Sequence, residues 1–105
     1  MGLTTEEIRI ALQVALLGEI YREIRAIAFG YDEEDKIFTL RYYLEKEPTD
    51  DDFESVSEVM TEFISHFKHS EFQDLKEECK YSNLPNSQLE PLSGFVYSRR
   101  ENSLA

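Results

Sequence analysis

The residues KIFTLRYYLEKEPTDDDFESVSEVMTEFISHF, Lys36 to Phe67, change their apolar period once, and that change decides the fold. In the first half Phe38, Leu40, Tyr42 and Leu44 alternate with Ile37, Thr39, Arg41 and Tyr43. The period of two and the β-branched and aromatic content predict a strand with one apolar face. Pro48 and Thr49 interrupt the pattern, and Asp50, Asp51 and Asp52 then crowd one turn. Carboxylates there meet the positive end of a helix dipole, so a helix starts at that point. Phe53, Val56, Met60, Phe63, Ile64 and Phe67 follow at i, i+3, i+7, i+10, i+11 and i+14, one apolar helical face. His66, Lys68 and His69 lie near its end.

Working towards the N-terminus, Arg25, Ile27, Phe29 and Tyr31 point one way and Ile24, Ala26, Ala28 and Gly30 the other. That is a second strand, and the acidic tip Asp32, Glu33, Glu34, Asp35 joins the two as a hairpin. Before it, Ile8, Ala11, Leu12, Ala15 and Leu16 define a helix over Thr4 to Gly18. Thr4 and Glu7 are spaced as a capping box, and Gly18 suits a left-handed C-cap. Ile10, Val14 and Leu17 widen the apolar surface, which predicts a helix gripped on more than one side.

Towards the C-terminus, Phe72 to Tyr81 fits helix or strand, with strand favoured. Pro85 and Pro91 bracket a loop, and Gly94 to Ser98 reads as a last strand before a polar tail at about 99–105. The order is α-β-β-α-β-β. Strands joined by hairpins predict an α+β fold, an antiparallel four-stranded sheet with both helices packed on one face.

At 105 residues the chain has the length of a single domain, 1–105, with one core. Hydrophobic residues at 41% and 13 Phe and Tyr argue against disorder despite a net charge of -11. Cys79 is the only cysteine, so no intramolecular disulfide is possible, which points to a reducing, cytoplasmic setting. The run Ile8 to Leu17 is too short to span a bilayer, and Glu6 and Glu7 before it have the wrong sign for a signal peptide.

The charge is uneven. Asp32 to Glu54 holds 10 acids against 3 bases, Lys36, Arg41 and Lys46, while the remainder holds 12 against 8. A concentrated negative field repels nucleic acid and membrane surfaces and speeds encounter with basic proteins, although solubility alone also explains an acidic surface. The residues singled out for a partner are Asp32, Glu33, Glu34, Asp35, Glu45, Glu47, Asp50, Asp51 and Asp52, with Arg41 and Tyr43 expected on an exposed strand face beside them. Asp50 to Asp52 already serve a helix start, so the hairpin tip is the sharper functional expectation.

Catalytic chemistry has no support. Cys79 lies among Glu77, Glu78 and Lys80, where acids raise a thiol's pKa, and reads as a packing residue. Glu62, His66 and His69 share a helical face at i, i+4 and i+7 and could ligate a metal, or simply form a solvated helix end. The acidic runs lack the alternating spacing of a calcium loop, and four scattered glycines make no phosphate cradle. No cofactor is expected.

The text KIFTLRYYLEKEPTDDDFESVSEVMTE, Lys36 to Glu62, resembles small bacterial immunity proteins encoded beside polymorphic or contact-dependent inhibition toxins. In that pattern a strand leads through a Glu-Pro turn into an acidic helix start. GFVYSRRE, Gly94 to Glu101, is similar to the closing strand of the same group. Together they cover about a third of the chain. The resemblance implies a cytosolic, non-enzymatic protein that binds a cognate toxin domain, often a nuclease. An acidic surface would suit such a partner, because a nuclease must be basic to hold phosphate. Two other readings stay open: a homo-oligomer, for instance a homodimer, pairing through an open sheet face, and a small metal-binding protein or enzyme using Glu62, His66 and His69.

Overall fold

The structure is a computed structural model and describes residues 3–101. Two α-helices, α1 (Thr5–Ala15) and α2 (Asp50–Ile64), and four strands, β1 (Ile24–Asp32), β2 (Ile37–Leu44), β3 (Asp74–Tyr81) and β4 (Gly94–Ser98), follow in the order α-β-β-α-β-β. Phe72 to Tyr81 thus resolves as the favoured strand.

The sheet is mixed, which corrects the antiparallel expectation. Its spatial order is β3-β2-β1-β4. β1 pairs antiparallel with β2 through the expected hairpin and with β4 on its other side, but β2 and β3 run parallel, from Ile37 opposite Asp74 to Leu44 opposite Tyr81. The reason is the helix between them. A helix lying on the sheet carries the chain back to the end where β2 began, so β2, α2 and β3 form a parallel crossover unit. The hairpin rule holds for β1 and β2 only.

Both helices cover one face. Ile8, Ala11, Leu12, Ala15 and Leu16 from α1 and the turn after it pack with Val56, Val59, Met60 and Phe63 from α2 over Ile24, Ile27, Phe29, Phe38, Leu40, Tyr42 and Leu44 of the sheet. Each large aliphatic or aromatic side chain removed from water here contributes about 1.5–3 kcal/mol. Phe63 stacks on Phe38 with centroids 4.5 Å apart, and Phe67 and Phe72 close the cluster edge-on. Phe53, placed on the apolar face by spacing, is instead exposed at the first turn of α2.

Two local details differ from the periodic reading. β1 carries a bulge: Ile24 faces Leu44 and Ala26 faces Tyr43, leaving Arg25 as the extra residue. The bulge reverses alternation, so Ile24 joins Ile27 in the main core rather than facing away from it. α1 ends at Ala15 with Leu16 as C-cap, and Gly18, at φ 77°, forms the following turn instead of the cap. The capping box at the other end of α1 is present, with the Thr4 hydroxyl accepting from the Glu7 amide at 3.1 Å.

The second sheet face is covered as well. The connection between β3 and β4 crosses it, and Leu89 and Leu92 pack on Ala26, Ala28, Tyr43 and Phe95. The open sheet face expected for pairing of two copies is therefore occupied by the chain itself. Of the polar tail, residues 102–105 lie outside the described residues. Arg99 and Glu101, assigned to that tail, are held in ion pairs.

Candidate protein-binding surface

The acidic stretch that is continuous in sequence is divided in space. Asp32 to Asp35 sit at one end of β2, and Glu45, Glu47, Asp50 and Asp51 follow its other end, so eight residues of extended chain, roughly 25 Å, separate the two groups. All eight are exposed. In the tip, the Asp32 carboxylate accepts from the Asp35 amide at 3.1 Å and closes the turn, and Lys36 takes the left-handed φ of 56° that the turn needs. Glu33 and Glu34 have no side-chain hydrogen bond among the described residues.

Asp52 differs from its neighbours. It is 3% exposed, and its carboxylate accepts from the Tyr21 hydroxyl at 2.6 Å, the Thr49 amide at 2.8 Å, the Thr49 hydroxyl at 3.1 Å and the Lys46 ammonium. Burial pushes its pKa up, but the donors from Lys46, Tyr21 and Thr49 outweigh that and hold it at about 2. Asp52 ties the start of α2 to the turn before β1. It offers nothing to a partner.

Arg41 and Tyr43, expected to be exposed, are 8% and 5% accessible. The Arg41 guanidinium donates to Glu78 at 2.6 Å, to Glu90 at 3.2 Å and to the Tyr43 hydroxyl at 3.0 Å, and the Tyr43 hydroxyl donates to the Glu90 carbonyl at 2.8 Å. Burial opposes the Arg41 charge, but hydrogen bonds to Tyr43 and Glu78 raise its pKa above the ordinary value. The pair pins β3 and the covering connection to the sheet. Alternation placed both residues on the correct face, but the strand pattern gave no sign that residues 84–92 would lie over it.

A second ion-pair group binds the C-terminal segment. Arg25, the bulge residue, donates to both Glu101 oxygens, at 2.7 and 2.8 Å, and to the Ser82 carbonyl at 2.8 Å. Arg99 donates to Glu101 at 2.9 Å and to Glu45. Hydrogen bonding from Arg25, against a smaller effect of burial, holds the Glu101 carboxyl at about 2. Glu45 is thus a structural partner as well as a surface acid.

The histidine triplet does not assemble. α2 stops at Ile64, His66 falls in the turn after it, and His69 opens a 3-10 turn, so the helical spacing that would align them with Glu62 is broken. No group of three His, Cys, Asp or Glu placed to hold a metal occurs among the described residues. Cys79 is half-buried, and burial, reinforced by the charge of Asp52, pushes its thiol up to about 12. That is the reverse of an activated thiolate.

Two surface features escaped the sequence reading. Ile10, Val14 and Leu17 are 57%, 46% and 76% exposed, so the expected second grip on α1 is absent. α2 carries Glu54, Glu58 and Glu62 along one exposed row at intervals of four and has no Lys or Arg in its length. The spacing of that row is legible in the sequence, but only Glu54 of the three lies within the dense acidic run Asp32 to Glu54.

Fold and surface together define a small α+β protein with a mixed sheet, two helices on one face and an exposed acidic helical surface. The family model described as MafI2 immunity protein matches residues 5–101, and the chain belongs to that family. The resemblance of Lys36 to Glu62 and Gly94 to Glu101 to small bacterial immunity proteins is borne out. A search of curated proteins finds no match. No helix among the described residues is long and apolar enough to cross a membrane.

Proposed function

We propose that this chain is a non-enzymatic immunity protein that binds and neutralises a cognate toxin domain with a basic surface, a nuclease being the class of toxin that fits best. Membership of the immunity family over residues 5–101 carries the reading. The net charge of -11 gives the partner its character, since a phosphate-binding surface is basic and is complemented by carboxylates. The protein acts in the cytoplasm, where such a toxin would reach its target. Asp32, Glu33, Glu34, Asp35, Glu47, Asp50 and Asp51 contribute the steering field, Glu45 adds to it while paired with Arg99, and Asp52, Arg41 and Tyr43 support the surface from beneath.

The test is co-production with the toxin encoded beside the gene, followed by binding of the purified pair at increasing salt. Growth rescue and a tight complex whose association slows with salt are the expected results. Absence of rescue together with absence of binding would remove the reading.

A further inference from the structure

We propose that the outer face of α1 and the adjoining side of α2 form the seat for an amphipathic basic segment of the toxin, an assignment that rests on the immunity reading above. The apolar part is Ile10, Val14 and Leu17, which recur at i, i+4 and i+7 and form one stripe along α1 and the turn that ends it. α1 already buries Ile8, Ala11, Leu12 and Ala15 against the sheet, so folding leaves this second stripe in water. Three large aliphatic side chains in a row, exposed to this degree, are an unusual surface for a protein of such high charge.

The polar part lies beside it. Val14, Ala15 and Leu17 form one wall of an open groove of about 270 Å³ between the two helices, and every charged residue lining that groove is an acid: Glu19, Glu58 and Glu62. The row continues to Glu54 along α2. Like charges four residues apart on a helix oppose its formation slightly, so the row does not exist to stabilise α2. Neither the stripe nor the acids serve the fold, and the two are adjacent.

Their combination selects the occupant. A second copy of this chain would set Glu19, Glu58 and Glu62 against the same acids across a two-fold axis. An anionic membrane or a nucleic acid would be repelled for the same reason. The groove is too small and open to enclose a drug-sized molecule. A protein segment with aliphatic residues on one side and Lys or Arg on the other meets both halves, apolar against the α1 stripe and cationic against the acids.

The experiment uses the full chain and the purified, catalytically inactivated domain of the toxin encoded next to it. Three variants are compared with the unchanged protein by calorimetry: Leu17→Asp, Glu58→Lys with Glu62→Lys, and Glu33→Lys with Glu34→Lys at the distant hairpin tip. All five positions are exposed, and thermal melting of each free protein confirms that it folds. The first two variants should weaken binding tenfold or more, while the tip variant, with the same charge change as the Glu58 and Glu62 pair, reads the steering field alone and should weaken binding less than either; a tip variant that weakens it more than both would overturn the assignment. If the unchanged protein binds and both groove variants bind within threefold of it, this surface assignment is wrong and the immunity reading stands. If the unchanged protein does not bind, the immunity reading falls and takes the assignment with it.

Discussion

Asp52 keeps its charge inside the protein only because four donor groups surround it, and that makes it a point of acid weakness. Its carboxyl titrates at about 2 when folded against an ordinary 3.8, and Glu101 at about 2 against 4.5. Between these values the unfolded chain binds more protons than the folded one, so stability rises with pH. The contribution is complete above pH 4.5 and is lost as pH falls from there towards 2, which urea titrations at stepped pH will show as a falling midpoint. Asp52→Ala strands the Tyr21 hydroxyl and the Thr49 amide and should cost about 2–4 kcal/mol at pH 7, measured the same way. Tyr42 gives the opposite expectation. Its hydroxyl is buried and makes no hydrogen bond of good geometry among the described residues, and burial, opposed only in part by the nearby Ser55 side chain, pushes it up to about 12. Tyr42→Phe should leave stability unchanged or raise it by up to about 1 kcal/mol, and a lower melting temperature would contradict this.

Between elements, α1 is fastened to the sheet's edge by Arg9, whose guanidinium donates to the Phe95 carbonyl of β4 and lies 5.4 Å from the Phe29 ring centroid. Gly94 makes room for it. A Cβ at that position would stand 2.7 Å from an Arg9 nitrogen and 3.4 Å from the Phe29 ring. That nitrogen is the movable end of the Arg9 side chain, so Gly94→Ala should displace it at the expense of its bond to Phe95 and destabilise by about 0.5–1.5 kcal/mol, seen as a lower denaturation midpoint. The two faces of α1 should separate cleanly in the same assay. Leu12→Ala opens a cavity in the core and should cost about 2–5 kcal/mol, while Leu17→Ser on the outer stripe should change stability by less than about 0.5 kcal/mol. Periodicity assigned the inner face correctly residue by residue. It could not tell an outer stripe awaiting a second helix from one left in solvent, because that depends on where α2 docks.

For the whole molecule, a net charge of -11, most of it at the two ends of β2 and along α2, would make association with the basic partner proposed above a long-range event. Raising ionic strength from about 0.05 to 0.5 M should slow association by tenfold or more while changing dissociation little, as stopped-flow mixing at several salt concentrations will measure. The chain's own sequence determined the element types and their order, the inner face of α1 and, apart from Phe53 and Val59, that of α2, the hairpin and the acidity, because period, turn residues and charge are local properties. Three things were decided only by tertiary structure. β3 lies parallel to β2 because α2 packs on the sheet and returns the chain to the starting end. Arg41 and Tyr43 are buried because the connection to β4 crosses over them. The acidic run read as one patch is split by the length of β2, and a different acidic surface is assembled where α2 meets α1. Distance along the chain fixes distance in space only within an element, and every one of these outcomes depends on how two elements meet.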